Sequence, residues 1–206
     1  ETVWFGPPLD EADNAVILIH GRGDSAHGIL ALAPELRSPR STFLAPQATG
    51  HAWYPQGFMA PMDLNEPWLS SALERIRVAL DTLAKVVPRE RTVLMGFSQG
   101  ACLSLEFAAR NAGVYGGIVA FSGGLIGPDG TARDYSGSLE GTPVFLGCSD
   151  VDPHIPVGRV RDSADVMEAL GGVVEKRIYP GMAHTVNEDE ITWAHHLLND
   201  VGAGPG

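Results

Sequence analysis

Six short runs of apolar and β-favouring residues recur along the chain: Ala15–Ile19, Thr42–Ala45, Thr92–Phe97, Gly117–Phe121, Pro143–Gly147 and Val173–Tyr179. Most are apolar at consecutive rather than alternate positions, as in strands covered on both faces. Val3–Phe5 reads as a further edge strand. Helical spacing fills the intervals. Leu69, Leu73, Ile76, Leu80, Leu83 and Val87 step by four and three residues, one stripe on a helix that starts near Pro67 and stops before Pro88. Asn187, followed by Glu188, Asp189 and Glu190, reads as a capped helix start with Glu190 reaching back to the cap. Trp193, Leu197 and Leu198 would pack that last helix, and Gly171-Gly172 would end the one before it, Val160–Leu170. The alternation predicts an α/β fold with a mainly parallel central sheet of six or seven strands and helices on both faces. Two long connections, residues 46–66 and 122–142, stand out as candidate functional loops.

Length and composition narrow the classes. The 206 residues suit a single domain spanning 1–206, and 44% apolar with 19% charged is ordinary for a globular chain. A formal charge of −11 argues against nucleic acid as a partner and against anionic lipid. No apolar run approaches the roughly 20 residues that span a bilayer, so stable membrane insertion is not expected. Cys102 and Cys148 lie in apolar segments and read as buried free thiols, which favours a cytoplasmic setting.

The chemistry centres on Gly96-Phe97-Ser98-Gln99-Gly100, placed where a strand gives way to the helical run that begins at Ala101. A G-x-S-x-G between strand and helix is the nucleophile-elbow pattern. The glycines let the chain turn sharply, the serine hydroxyl stands exposed, and the helix N-terminus aims free N–H groups at a developing oxyanion. Such a serine needs a base, and the base needs a carboxylate, in the chain order serine, acid, histidine. The strand Pro143–Gly147 runs into Asp150-Val151-Asp152-Pro153, and Val173–Tyr179 runs into Pro180-Gly181-Met182-Ala183-His184. His184 alone among the histidines lies just after a strand and before a capped helix. His195-His196 fall inside the last helix as a surface or packing pair, His20 reads as a structural hydrogen-bonder, and His51 and His154 sit in loops. Either Asp150 or Asp152 could be the acid. No further carboxylate or histidine cluster completes a coordination shell, so neither a metal nor an organic cofactor is expected.

The first βα turn, His20-Gly21-Arg22-Gly23-Asp24-Ser25-Ala26, read as G-x-G-x-x-A after a strand, fits a dinucleotide fingerprint. That reading also wants an acid ending the next strand, where Leu44-Ala45-Pro46 stands instead. The Arg22-Gly23-Asp24 tripeptide is read as chance. The loop is better read as one whose backbone N–H, that of Arg22, joins the N–H of Gln99 in an oxyanion hole, with almost any side chain allowed at position 22. Trp53, Tyr54, Phe58, Met59, Leu125, Ile126, Ile155 and Met182 lie on loops at the same edge and are candidates for an apolar acyl groove. Exposed loop aromatics would also suit a homodimer contact.

His20-Gly21-x-Gly23-Asp24, the Gly96–Gly100 elbow, Asp152-Pro153-x-Ile155-Pro156 and Gly181-Met182-x-His184 together resemble the phospholipase/carboxylesterase family of α/β-hydrolases, which includes acyl-protein thioesterases. The likeness runs in order through nearly the whole chain. It implies an α/β-hydrolase core without a large lid, a triad of Ser98, Asp152 and His184, and an oxyanion hole from Arg22 and Gln99. Asp152 is favoured over Asp150 because the family's acid directly precedes this proline. The implied activity is hydrolysis of a small-molecule or lipid-like carboxylic ester, carboxylesterase or lysophospholipase in type, through an acyl-serine. A thioesterase acting on acylated proteins or carrier thioesters is the alternative, with a non-catalytic binding module behind it. Cys148-Ser149 departs from the His-Gly often found before the two-aspartate turn, which touches substrate choice rather than chemistry.

Overall fold

The computed structural model describes residues 1–203. Seven strands form one sheet in the order β1-β3-β2-β4-β5-β6-β7: β1 Thr2–Phe5, β2 Asn14–Ile19, β3 Ser41–Pro46, β4 Thr92–Phe97, β5 Gly117–Phe121, β6 Pro143–Ser149 and β7 Val173–Tyr179. Only β1 runs antiparallel, against β3; every other pairing is parallel. The helices are α1 Ala26–Ile29, α2 Leu32–Glu35, α3 Trp68–Leu83, α4 Gln99–Arg110, α5 Val157–Ala169 and α6 Glu188–Ala203.

Consecutive apolar positions in the central strands feed two separate layers, because successive side chains point to opposite faces. Ala15, Ile17 and Ile19 of β2 pack with Leu69 and Ile76 of α3, Leu103 of α4 and Val160 of α5. Val16 and Leu18 pack instead with Ile29 of α1, Ala33 of α2 and Leu197 and Leu198 of α6. The α3 stripe is buried at Leu69, Ile76, Leu80 and Leu83 and half-buried at Leu73; Val87 is buried in the turn after the helix. Several boundaries differ from expectation: β1 begins at Thr2, β2 at Asn14, β3 spans Ser41–Pro46, and α3 ends at Leu83 rather than just before Pro88. β6 continues through Cys148 and Ser149, paired to Ile178 and Tyr179. α5 starts at Val157 rather than Val160, with Pro156 at the N-cap position and its carbonyl accepting the N–H groups of Arg159 and Val160.

From β2 the chain moves outward to β3, then crosses back to add β4 on the other side of β2. The carboxyl ends of β2 and β4 therefore flank a topological switch point, with Ile19 opposite Gly96. The His20–Asp24 loop and the Ser98 turn both emerge there.

Candidate active site

Ser98 carries φ 54° and ψ −117°, in the left-handed half of backbone space that a side chain occupies only under constraint. The constraint is the close approach of β4, α4 and β2. A Cβ on Gly96 would lie 2.4 Å from the Gly100 carbonyl carbon, and one on Gly100 would lie 2.0 Å from the Ile19 oxygen. The turn can therefore be this tight only with glycine at both positions.

Three side chains from three strand ends converge above it. His184 Nε2 stands 2.9 Å from Ser98 Oγ, and His184 Nδ1 stands 2.7 Å from Asp152 Oδ2. Asp152 is held from its other oxygen by the N–H groups of His154 (2.8 Å) and Ile155 (3.0 Å). Its carboxyl is fully buried, which by itself raises the pKa. The hydrogen bonds from His184, His154 and Ile155 outweigh burial, and the group sits below its ordinary value. Asp150 does something else: it accepts the Gly181 N–H at 2.8 Å, fastening the His184 loop to the end of β6. The His184 ring packs between Phe97 and His154, each 4.8 Å away between ring centroids.

The loop after β2 lies against the serine; a Cβ built on Gly21 would be 3.4 Å from Ser98 Cβ. His20 is buried and structural, its Nδ1 2.7 Å from the Gly21 oxygen and its Nε2 accepting the Ala48 N–H. Among the described residues neither the Arg22 nor the Gln99 backbone N–H has a protein acceptor, and that of Gln99 opens α4, where first-turn donors have none within the helix.

A cavity of about 360 Å³ opens beside Ser98 and His184. Of the eight groove candidates, Tyr54, Phe58 and Ile155 line it; Gly21, Arg22, Asp24, Gly57, Phe97, Gln99, Cys102 and His154 also line it. The remainder lie elsewhere. Trp53 is buried and donates its indole N–H to the His20 carbonyl, Leu125 and Ile126 carry the 122–142 loop into the core layer shared with α3 and α4, and Met59 packs half-buried on that layer. Met182 Sδ accepts from the Asn187 amide, beside the cap of α6. The loop aromatics that suggested a dimer contact face inward, with Trp53, Tyr54 and Phe58 all buried, so they offer no free surface. Cys102, read from the sequence only as a buried thiol, is a wall residue; the signal for it is its spacing of one helical turn after Ser98. No group of three or more His, Cys, Asp and Glu side chains among the described residues is arranged to hold a metal ion, and His195 instead approaches the Leu36 carbonyl. No described helix is long and apolar enough to cross a membrane.

Comparison with known proteins agrees with this architecture. The sequence model of the phospholipase/carboxylesterase family matches residues 6–201. The structure of a phospholipase/carboxylesterase from Dyadobacter fermentans superposes with a TM-score of 0.91 at 41% identity, covering 98% of this chain and 95% of that one. Acyl-protein thioesterase 1 of Saccharomyces cerevisiae is 28% identical over 89% of this chain and 90% of its own length. The Debaryomyces hansenii protein of the same name is 24% identical over 92% of each chain. The chain is a carboxylic ester hydrolase of α/β-hydrolase fold and belongs to the phospholipase/carboxylesterase family.

Proposed function

We propose that the protein hydrolyses carboxylic esters through an acyl-serine intermediate, with Ser98 as nucleophile, His184 as base and Asp152 as its orienting acid. The observation that carries this reading is the unbroken chain of hydrogen bonds from Ser98 Oγ through both His184 nitrogens to Asp152. His184 Nε2 takes the Ser98 proton as Oγ attacks the ester carbonyl, while Asp152 fixes the tautomer and stabilises the imidazolium. The N–H groups of Arg22 and Gln99 receive the oxyanion. His184 then protonates the leaving alcohol and activates the water that frees the acid. The acyl group rests against Tyr54, Phe58, Cys102 and Ile155. The two buried thiols support a reducing compartment, the cytoplasm, as its setting.

The same machinery would act on a thioester, and the names of the curated relatives favour including one among the substrates. The test is hydrolysis of p-nitrophenyl esters from acetyl to palmitoyl and of matched acyl thioesters, with wild type and Ser98→Ala in parallel. Ser98→Ala should lose about 10⁴-fold or more in turnover, since a triad acts as a unit. Wild type should react with a fluorophosphonate. Turnover surviving in Ser98→Ala, or a fluorophosphonate that does not label wild type, would sink the reading.

A further inference from the structure

Residues 52–56, which run into the cavity wall at Tyr54, make no backbone-to-backbone hydrogen bond among the described residues. Side chains from elsewhere hold the segment instead. The Gln99 amide accepts the Trp53 N–H at 2.9 Å and donates to the Tyr54 carbonyl at 3.0 Å. Asn65 accepts the Gln56 N–H and donates to the Gly57 carbonyl. The Arg22 guanidinium donates to three successive carbonyls, those of Tyr54 (2.9 Å), Pro55 (3.0 Å) and Gln56 (2.6 Å). Arg22 and Gln99 are the same two residues whose backbone N–H groups stand free beside Ser98. Each thus carries one donor for the reaction and one side chain anchored in the cavity wall.

We propose that the Arg22 side chain is a positioning residue for the oxyanion hole: its fork on the 54–56 carbonyls fixes the orientation of its own backbone N–H toward Ser98. The proposal rests on the acyl-serine reading above, and it replaces the expectation that almost any side chain would serve at position 22. The loop 20–24 is also held through its own backbone on both sides of this residue. The Trp53 indole holds the His20 carbonyl, and the Gly23 N–H donates to the His51 carbonyl at 2.7 Å. The Gly21 carbonyl, in the same peptide as the Arg22 N–H, lies 2.7 Å from His20 Nδ1 and accepts the Asp24 N–H at 3.3 Å, so the Arg22 fork adds to these ties by fixing the peptide against the 54–56 segment. A planar guanidinium can address three carbonyls at once; a lysine ammonium is a compact point charge on a flexible stem and lacks that fixed fork. Arg22 is exposed, so water competes for each bond and their contribution to stability is small. The contribution to the reaction is geometric, since a displacement of the order of 1 Å at a reacting site can cost about 10²-fold in rate.

The experiment compares wild type, Arg22→Ala, Arg22→Lys and Ser98→Ala on one p-nitrophenyl ester, reading kcat, KM, Tm and the rate of fluorophosphonate labelling. Arg22→Ala should lower kcat and labelling about 10- to 100-fold with KM within about threefold and Tm little changed. Arg22→Lys should recover only a minor part of the loss, and added methylguanidinium should restore several-fold of the activity of Arg22→Ala without stimulating wild type. Arg22→Ala with kcat within about twofold of wild type, a rise in KM alone, or an activity loss that tracks loss of folded protein would overturn the proposal. Should Arg22→Ala not fold, Arg22→Lys decides: wild-type kcat refutes, and a drop of about tenfold at unchanged Tm supports. Residual turnover in Ser98→Ala would bring down the acyl-serine reading and this proposal together, whereas an inactive Ser98→Ala beside a fully active Arg22→Ala removes only the proposal.

Discussion

Glu190 offers a test of the energetics that is independent of turnover. Its side chain is fully buried at the start of α6, with Oε2 accepting the Asn187 N–H at 2.9 Å and Oε1 left without a partner among the described residues. The backbone of β6 closes over it; a Cβ on Gly147 would lie 2.0 Å from Oε1. Burial, helped by the neighbouring Asp189 and opposed by the Asn187 N–H, raises its pKa from 4.5 to about 7. The sign follows from linkage. Between those two values the folded chain binds more protons than the unfolded one, so stability falls as pH rises through this window and levels off above it. Between pH 5 and pH 8 the loss from this one group is about 2 to 3 kcal/mol. Glu190→Gln keeps an acceptor for the Asn187 N–H and removes the ionisation. Urea unfolding of wild type and Glu190→Gln at both pH values isolates the effect, because all other titrations cancel in the difference. The stability of Glu190→Gln relative to wild type should rise by about 2 to 3 kcal/mol from pH 5 to pH 8. A difference that stays flat would show that the carboxylate ionises in the folded state without cost, through water or a local opening, and would refute the argument.

Three further outcomes follow from the geometry. Asp152→Asn can keep the bonds from His154 and Ile155 but presents an amide to His184 Nδ1, favouring the wrong tautomer. We expect kcat on a p-nitrophenyl ester to fall about 10³- to 10⁴-fold at unchanged Tm, and a loss under tenfold would contradict the assigned role. Gly100→Ala drives a Cβ into the Ile19 and His20 carbonyls, backbone on a central strand end with nowhere to move. It should lose about 3 kcal/mol or more by urea unfolding or fail to accumulate as soluble protein; a variant within about 1 kcal/mol of wild type would show the elbow is looser than described. Cys102 and Cys148 are fully buried, and burial pushes each thiol up to about 12, Asp152 adding to it at Cys148. Neither should label with a thiol reagent at pH 8 in the native protein, while both should label in urea; prompt native labelling of one would mean that its pocket opens readily.

How far the sequence discloses this arrangement depends on the range of the forces involved. The five central strands, β2 to β6, are legible because both faces of each are buried, so hydrophobicity at consecutive positions suffices; in β2 alone Val16 and Ile17 go to different layers. The cap of α6 is legible because its partners are three residues apart, and Asn187 and Glu190 do exchange the expected bonds. Ser98, Asp152 and His184 are legible for another reason: parallel strands deliver their carboxyl ends to one edge, so a reactive residue just after each strand arrives at a common place whatever the loops do. Loops carry no such rule. Composition marks 46–66 and 122–142 as special, yet nothing local says whether an aromatic faces in or out. Trp53 and Tyr54 are neighbours with different fates, one under the His20 loop and one at the cavity wall.

Arg22 is the extreme case. Its three acceptors lie 32 to 34 residues away in a segment without periodicity, and they are backbone carbonyls, which every residue type possesses. No pattern of side chains at 54–56 could announce them. Triad residues are chosen for reactive groups that few amino acids have, so they leave a motif. A residue chosen to hold backbone leaves only its own identity, and reading its role takes the coordinates of the chain it holds. Under the proposed mechanism, the shell that positions the Arg22 and Gln99 N–H groups can therefore vary while the motifs stay the same. Substitutions there, rather than in the triad, are where differences in rate within the family should be sought.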